Sequence, residues 1–124
     1  MPKSQPNIRY RTGRLGESLA LKFLTQKGYK PITQNFHIWG GEIDLIMEKD
    51  GDLIFIEVKT RKNDKFGRAE ETLTRKQKLK LIRAIYQYLS TNSYQKSWRL
   101  DLIAINFTSA SHAEIRHIKN ILEE

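Results

Sequence analysis

The chain contains no cysteine among its 124 residues. That removes disulfide scaffolds, thiolate zinc sites, iron–sulfur clusters and thiol catalysis from consideration, and it suits a reducing compartment. Long apolar runs are also missing. A run such as 53–56 falls far short of the roughly 20 residues that cross a bilayer, and residues 1–7 have no apolar core of the kind a secretory signal needs. No membrane association is expected, and the reading is a cytoplasmic protein. Acidic residues are in deficit: 22 Lys and Arg against 14 Asp and Glu leave a net charge of +8. There is no P-loop and no Gly-x-Ser-x-Gly nucleophile turn. The segment Gly13-Arg14-Leu15-Gly16 is too short for a dinucleotide-binding turn, and His37, His112 and His117 lack metal-ligand spacing.

What is present fits one domain spanning 1–124, with 1–10 as a flexible lead-in. Hydrophobic residues make up 39% of the chain and 12 side chains are Phe, Trp or Tyr, which is too apolar for intrinsic disorder. The charge is partitioned. Residues 1–30 hold seven bases and one acid, 31–58 hold one base and six acids, and 59–83 hold ten bases and three acids. Basic flanks suit a polyanion such as nucleic acid. The acidic island between them would repel that polyanion unless something neutralises it.

Periodicity gives the expected elements. Residues 9–28 read as a helix with Thr12 as N-cap, a stripe of Leu15, Leu19 and Phe23 widened by Ala20 and Leu24, and Gly28 as its stop. Residues 31–38 read as a strand that ends at Trp39-Gly40-Gly41. Residues 42–48 and 53–60 read as a hairpin around Asp50-Gly51. A polar loop at 62–71 precedes a second helix at 74–90. That helix has Leu79, Ile82, Ile85, Tyr86 and Leu89 on one side and Lys76, Lys80, Arg83 and Gln87 on the other. Strands at 98–107 and 114–118 follow. The order α-β-β-β-α-β, with a last β, predicts a small mixed sheet flanked by two helices in one α/β core.

The hairpin concentrates the chemistry. With Asp50-Gly51 as a two-residue turn, paired residue numbers add to 101, which sets Asp44 opposite Glu57 and Glu42 opposite Lys59. Opposed Cβ atoms lie roughly 4.5–5.5 Å apart. Two carboxylates at that separation persist if one is protonated, if a cation sits between them, or if the edge is wet. Carboxylates with water and open positions are ligands that suit Mg²⁺. An exposed pair with Lys59 as local counter-ion is the plain structural alternative. Against it, Glu57 and Lys59 sit inside the most hydrophobic run of the chain, where charge is costly. Gly40-Gly41 gives the backbone before Asp44 freedom to admit a ligand.

Gly41-Glu42-Ile43-Asp44-Leu45-Ile46, followed by Phe55-Ile56-Glu57-Val58-Lys59-Thr60-Arg61, resembles the D…(D/E)-x-K signature of restriction-endonuclease-like nucleases. More closely, the chain resembles the YraN-type family of small bacterial endonucleases, relatives of archaeal Holliday-junction resolvases. The resemblance runs from Arg14-Leu15-Gly16-Glu17 through Arg99-Leu100-Asp101. Ile43 stands where the signature usually carries proline. The resemblance implies a restriction-endonuclease-like fold and Mg²⁺- or Mn²⁺-dependent cleavage of DNA, with RNA the second choice. It implies Asp44 and Glu57 as metal ligands, and Lys59 as the group that orients or deprotonates water and stabilises phosphoryl charge. Glu17 would join from the first helix, against the alternative that it is a first-turn Glu favoured by the helix dipole. Gln77 would be a polar residue that the second helix brings to the site, with Lys76 as its rival. Asp101 reads as a structural partner of an arginine. Arg14, Arg61, Lys62, Lys65, Arg68, Lys76, Lys80 and Arg83 would follow phosphates. A homodimer is an expectation of the resolvase relationship alone. Two competing readings are a catalytically silent nucleic-acid-binding protein that keeps the fold, and an interaction module that uses Tyr94 and Trp98 as anchors.

Overall fold

The computed structural model describes residues 8–62, 73–93, 96–109 and 111–122. Its elements are α1 (Ile8–Gln26), β1 (Lys30–Ile38), β2 (Gly41–Lys49), β3 (Asp52–Arg61), α2 (Arg75–Thr91), β4 (Trp98–Ser109) and β5 (His112–Ile118). The five strands form one sheet in chain order. Neighbours are antiparallel except β3 and β4, which run parallel and are connected through α2. This is the expected α/β order with the last strand present. No helix among the described residues is long and apolar enough to cross a membrane.

The turns follow from backbone chemistry. Asp50 (φ 52°) and Gly51 (φ 84°) both occupy the left-handed region, as a two-residue hairpin of the primed type requires. Gly28, at φ 91°, ends α1. Thr74 caps α2 reciprocally with Gln77: the Gln77 N–H donates to Thr74 Oγ1 at 3.1 Å, and the Thr74 N–H donates to Gln77 Oε1 at 2.8 Å. Thr12 is not at the N-cap position, because α1 begins four residues earlier, at Ile8.

Two cores lie on opposite faces of the sheet. Ala20 and Leu24 of α1 pack with Leu45, Met47, Ile54, Ile56, Val58, Ile103 and Ile105. Leu81, Ala84, Ile85 and Tyr88 of α2 pack with Ile43, Ile46, Leu53, Phe55 and Leu100. Both helices bury only part of the expected stripe: Leu19, Ala20, Phe23 and Leu24 of α1 and Ile85 and Leu89 of α2 pack on the cores. In α1 the buried line is Gly16, Ala20 and Leu24, while Leu15 is 52% exposed. In α2, Leu79 and Tyr86 are exposed and Ala84 is fully buried. Small residues let the helices approach the sheet closely. A Cβ on Gly16 would collide with Thr60 Oγ1 of β3, and one on Gly41 would stand 2.9 Å from the Lys80 carbonyl oxygen of α2. Gly41 therefore serves helix packing, and the positive φ of its dipeptide belongs to Gly40.

Candidate active site

The expected hairpin register holds from Lys49↔Asp52 to Leu45↔Ile56. The ladder then ends, so Asp44 does not pair with Glu57 through the backbone, nor Glu42 with Lys59. In place of that rung the Asp44 carboxylate enters the gap, and its Oδ2 accepts a 2.8 Å hydrogen bond from the Val58 N–H. The strand bends here. Ile43 and Leu45 sit two residues apart yet belong to opposite cores, so the side-chain alternation of β2 breaks at Asp44. On its other flank, pairing with β1 resumes on both sides of Asn35, whose φ is 53°. Asn35, with its positive φ, thus stands across from Asp44 at the end of the hairpin ladder.

Asp44 and Glu57 meet through their side chains, each feeling the other's carboxyl. Two ionised carboxylates have only acceptors, so their approach favours a proton or a cation between them. Burial raises the Glu57 pKa most, and the Asp44 carboxyl raises it further, against the pull of Lys59. Burial also raises Asp44, opposed by the Val58 N–H, by Glu57 and by Lys59. Both carboxyls are therefore held above the usual carboxylate range, burial being the first cause in each.

Glu17 completes the group from α1. Its pKa is pushed up to about 7, first by burial, then by the charges of Asp44 and Glu42, against Arg14 and His37. Glu17 is the tenth residue of α1, so a favourable first-turn dipole does not account for it. The contact of Gly16 with Thr60 brings this turn of α1 against β3. Lys59, half-buried, adds the positive charge that both hairpin acids feel. Three acids and a lysine from three elements therefore share one electrostatic environment.

The donor set is hard oxygen, and what it lacks is positive charge. A divalent cation would supply that charge, so the residues fit such an ion. Among the described residues no three His, Asp or Glu side chains form a ready-made cage. Asp44 and Glu57 would hold the ion in a two-carboxylate site with open positions.

The remaining expected residues divide. Arg14, Arg61, Lys62, Lys76, Lys80 and Arg83 are exposed, and the last three form a stripe on α2. Lys65, Arg68 and Tyr94 lie outside the described residues. The recorded bonds of Gln77 are those of the α2 cap, a structural role that explains its presence without the site. Trp98 is no exposed anchor: it packs on the α2-side core, with its ring 5.7 Å from that of Phe55. Asp101 is fully buried and structural. It accepts from Arg99 Nε (2.9 Å), His117 Nε2 (2.7 Å) and the Asn120 N–H (2.9 Å).

Sequence reasoning missed two members of this neighbourhood. Glu42 adds to the negative field on Glu17, Asp44 and Glu57, and His37 lies 3.8 Å from it across β1 and β2. Their places beside the Trp39-Gly40 turn were the available signal.

A model of the uncharacterised protein family UPF0102 matches residues 16–105. The chain belongs to the UPF0102 family. This is the YraN-type family whose motifs it resembles. A UPF0102 protein of Roseiflexus castenholzii is 34% identical over 94% of this chain and 96% of its own length. One from Thermodesulfovibrio yellowstonii is 42% identical over 86% and 95%, respectively. One from Cytophaga hutchinsonii is 43% identical over 75% and 82%. The UPF0102 match takes in Glu17, Asp44, Glu57 and Lys59, whereas His117 and Asn120, partners of Asp101, lie beyond its end.

Proposed function

We propose that this UPF0102 protein is a cytoplasmic, metal-dependent endonuclease that hydrolyses phosphodiester bonds in DNA with Mg²⁺ or Mn²⁺. The observation that carries the reading is the meeting of Asp44 and Glu57: a buried aspartate and a half-buried glutamate short of positive charge, with Lys59 beside them. A purely structural position would not gather like charges under burial, since each added carboxylate raises the cost of the others.

When bound, a divalent ion supplies charge neutralisation at the phosphoryl oxygens and an acidified water. The Lys59 ammonium orients the attacking water and stabilises the charge that develops on the phosphoryl group. The Val58 N–H fixes the rotamer of Asp44, so the carboxylate is positioned before anything binds. Glu17, close to half protonated near neutral pH, holds or releases a proton at the edge of the site. Lys76, Lys80 and Arg83 bind the phosphates of the strand and offset the repulsion that the acids exert on it.

The test is calorimetric titration of Mg²⁺ and Mn²⁺ into wild type and Asp44→Ala, together with cleavage of a panel of labelled DNA forms. Wild type should bind the ion and Asp44→Ala should not. Because the ion displaces a proton, affinity should improve by up to about tenfold per pH unit between pH 6 and 8. If wild type binds DNA but neither takes up metal nor cleaves, the protein is a silent nucleic-acid binder and the nuclease reading fails.

A further inference from the structure

Trp39 is 95% exposed at the tip of the β1–β2 hairpin. A single exposed apolar side chain needs no explanation, but the position of this one does. The turn is Trp39-Gly40, closed by the Ile38↔Gly41 pair, with Gly40 at φ 84°. A Cβ on Gly40 would lie 3.7 Å from Arg83 Nη1, and Gly41 abuts the Lys80 carbonyl. The hairpin tip therefore stands at the Arg83 end of the exposed basic stripe Lys76, Lys80 and Arg83. Glu42, whose charge reaches Asp44 and Glu57, begins only three residues after Trp39. At roughly 3.3 Å per residue, Trp39 and Asp44 are no more than about 17 Å apart along the chain.

An indole fully open to water, one residue from the glycine that the Arg83 guanidinium approaches, is a platform for a nucleobase. The cations follow the backbone while the ring takes the face of a base, and Arg83 adds to the stacking. Only a base that is out of its duplex stack offers that face. We infer that Trp39 stacks on an unpaired base and selects DNA with single-stranded or locally unpaired segments over intact duplex. The inference rests on the nucleic-acid reading above and narrows its substrate.

Binding is measured in EDTA, so that turnover plays no part, with three probes: a single-stranded oligonucleotide, the matching duplex, and that duplex carrying a central bulge. Trp39→Ala should weaken the single strand and the bulge by about fivefold or more, with the duplex changed by less than about twofold. Trp39→Phe should recover most of the loss and Trp39→Leu should not, because leucine keeps apolar area but has no π face. The chain has only two tryptophans, Trp39 and the core-packed Trp98. Fluorescence quenching by the single strand should therefore vanish in Trp39→Phe. Equal losses on all three probes, no loss on any, or full rescue by Trp39→Leu overturns the inference and leaves the nuclease reading standing. If wild type binds none of the probes, both fall together.

Discussion

Two buried aspartates sit on strands of one sheet and have opposite fates. Asp101 on β4 has more donors than it needs: Arg99, His117 and the Asn120 N–H surround it, and the Arg99 guanidinium also donates to the Tyr29 hydroxyl at 3.0 Å. Burial alone would raise its pKa, but those hydrogen bonds outweigh burial and hold it below the usual carboxylate range. Asp44 on β2 has one backbone donor, an acid for a neighbour, and a raised pKa. Burial is common to both, so burial does not separate a structural acid from a reactive one. What separates them is whether the fold supplies the balancing charge. At Asp101 it does. At Asp44 the fold leaves a deficit that a proton fills in the free protein and that the proposed metal fills in use.

The largest expected effect breaks this comparison at the site. Asp44→Asn keeps shape while removing charge, and Lys59→Ala removes the neighbouring cation. Each should lower cleavage by at least ~100-fold, by analogy with the loss of one electrostatic stabiliser. The urea midpoint of Asp44→Asn should be unchanged or raised, because a repulsion has been relieved. Near-normal turnover in both variants would remove Asp44 and Lys59 from the mechanism. The reverse pattern is expected at the other aspartate. Asp101→Ala strands Arg99 and His117 and should cost about 3 kcal/mol or more in chemical denaturation. A loss below about 0.5 kcal/mol would mean that the donors around it contribute no net stability.

The sequence made the sheet side of this contrast legible and the helix side less so. The Asp50-Gly51 turn sets the register correctly from Lys49↔Asp52 to Leu45↔Ile56, because period two and a primed turn leave little freedom. The Arg partner of Asp101 was also foreseen, though His117 and Asn120 were not, since they arrive from β5 and the segment after it. The failures share a cause. Periodicity centres the helices on Leu15, Leu19 and Phe23 and on Leu79, Ile82, Ile85, Tyr86 and Leu89, yet Leu15, Leu79 and Tyr86 are exposed. The faces that touch the sheet centre on Gly16, Ala20 and Ala84, where small size permits close approach. Hydrophobic periodicity counts area removed from water and gives a glycine no weight. The break at Asp44 was hidden for a related reason: Asn35 stands across from it in the neighbouring strand, which no pattern within 42–60 encodes.

Titration of the whole protein sharpens the comparison further, because the two sites must pull stability in opposite directions. Asp101 has a lowered pKa, so its contribution is present above the ordinary value of 3.8 and is lost as pH falls through the folded value. Glu57, Asp44 and Glu17 have raised pKa values. Their native forms retain protons that the unfolded chain releases, so stability is greatest at acid pH and is lost as pH rises, for Glu17 through about 7. Metal-free protein should therefore be most stable near pH 5 and weaken steadily towards pH 8. Saturating Mg²⁺ should restore the alkaline side by binding only the folded form. A stability profile that rises from pH 5 to 8 without metal would contradict the charge deficit.

The smallest effect belongs to Glu17, and its pH dependence makes it diagnostic. Glu17→Gln removes one of three mutually repelling acids. The part-buried position discounts the gain, because solvent screens it. In metal-free protein at pH 8 the melting temperature should rise by no more than about 4 °C, the shift that about 1 kcal/mol gives a domain of this size. At pH 5, where Glu17 already carries a proton, the variant and wild type should melt together. With Mg²⁺ present the sign should reverse or the gain should vanish, since a cation at Asp44 and Glu57 turns the Glu17 charge from a liability into an attraction. A gain of equal size at both pH values would mean that Glu17 acts through packing or helix propensity, and would place it outside the group of acids at the hairpin.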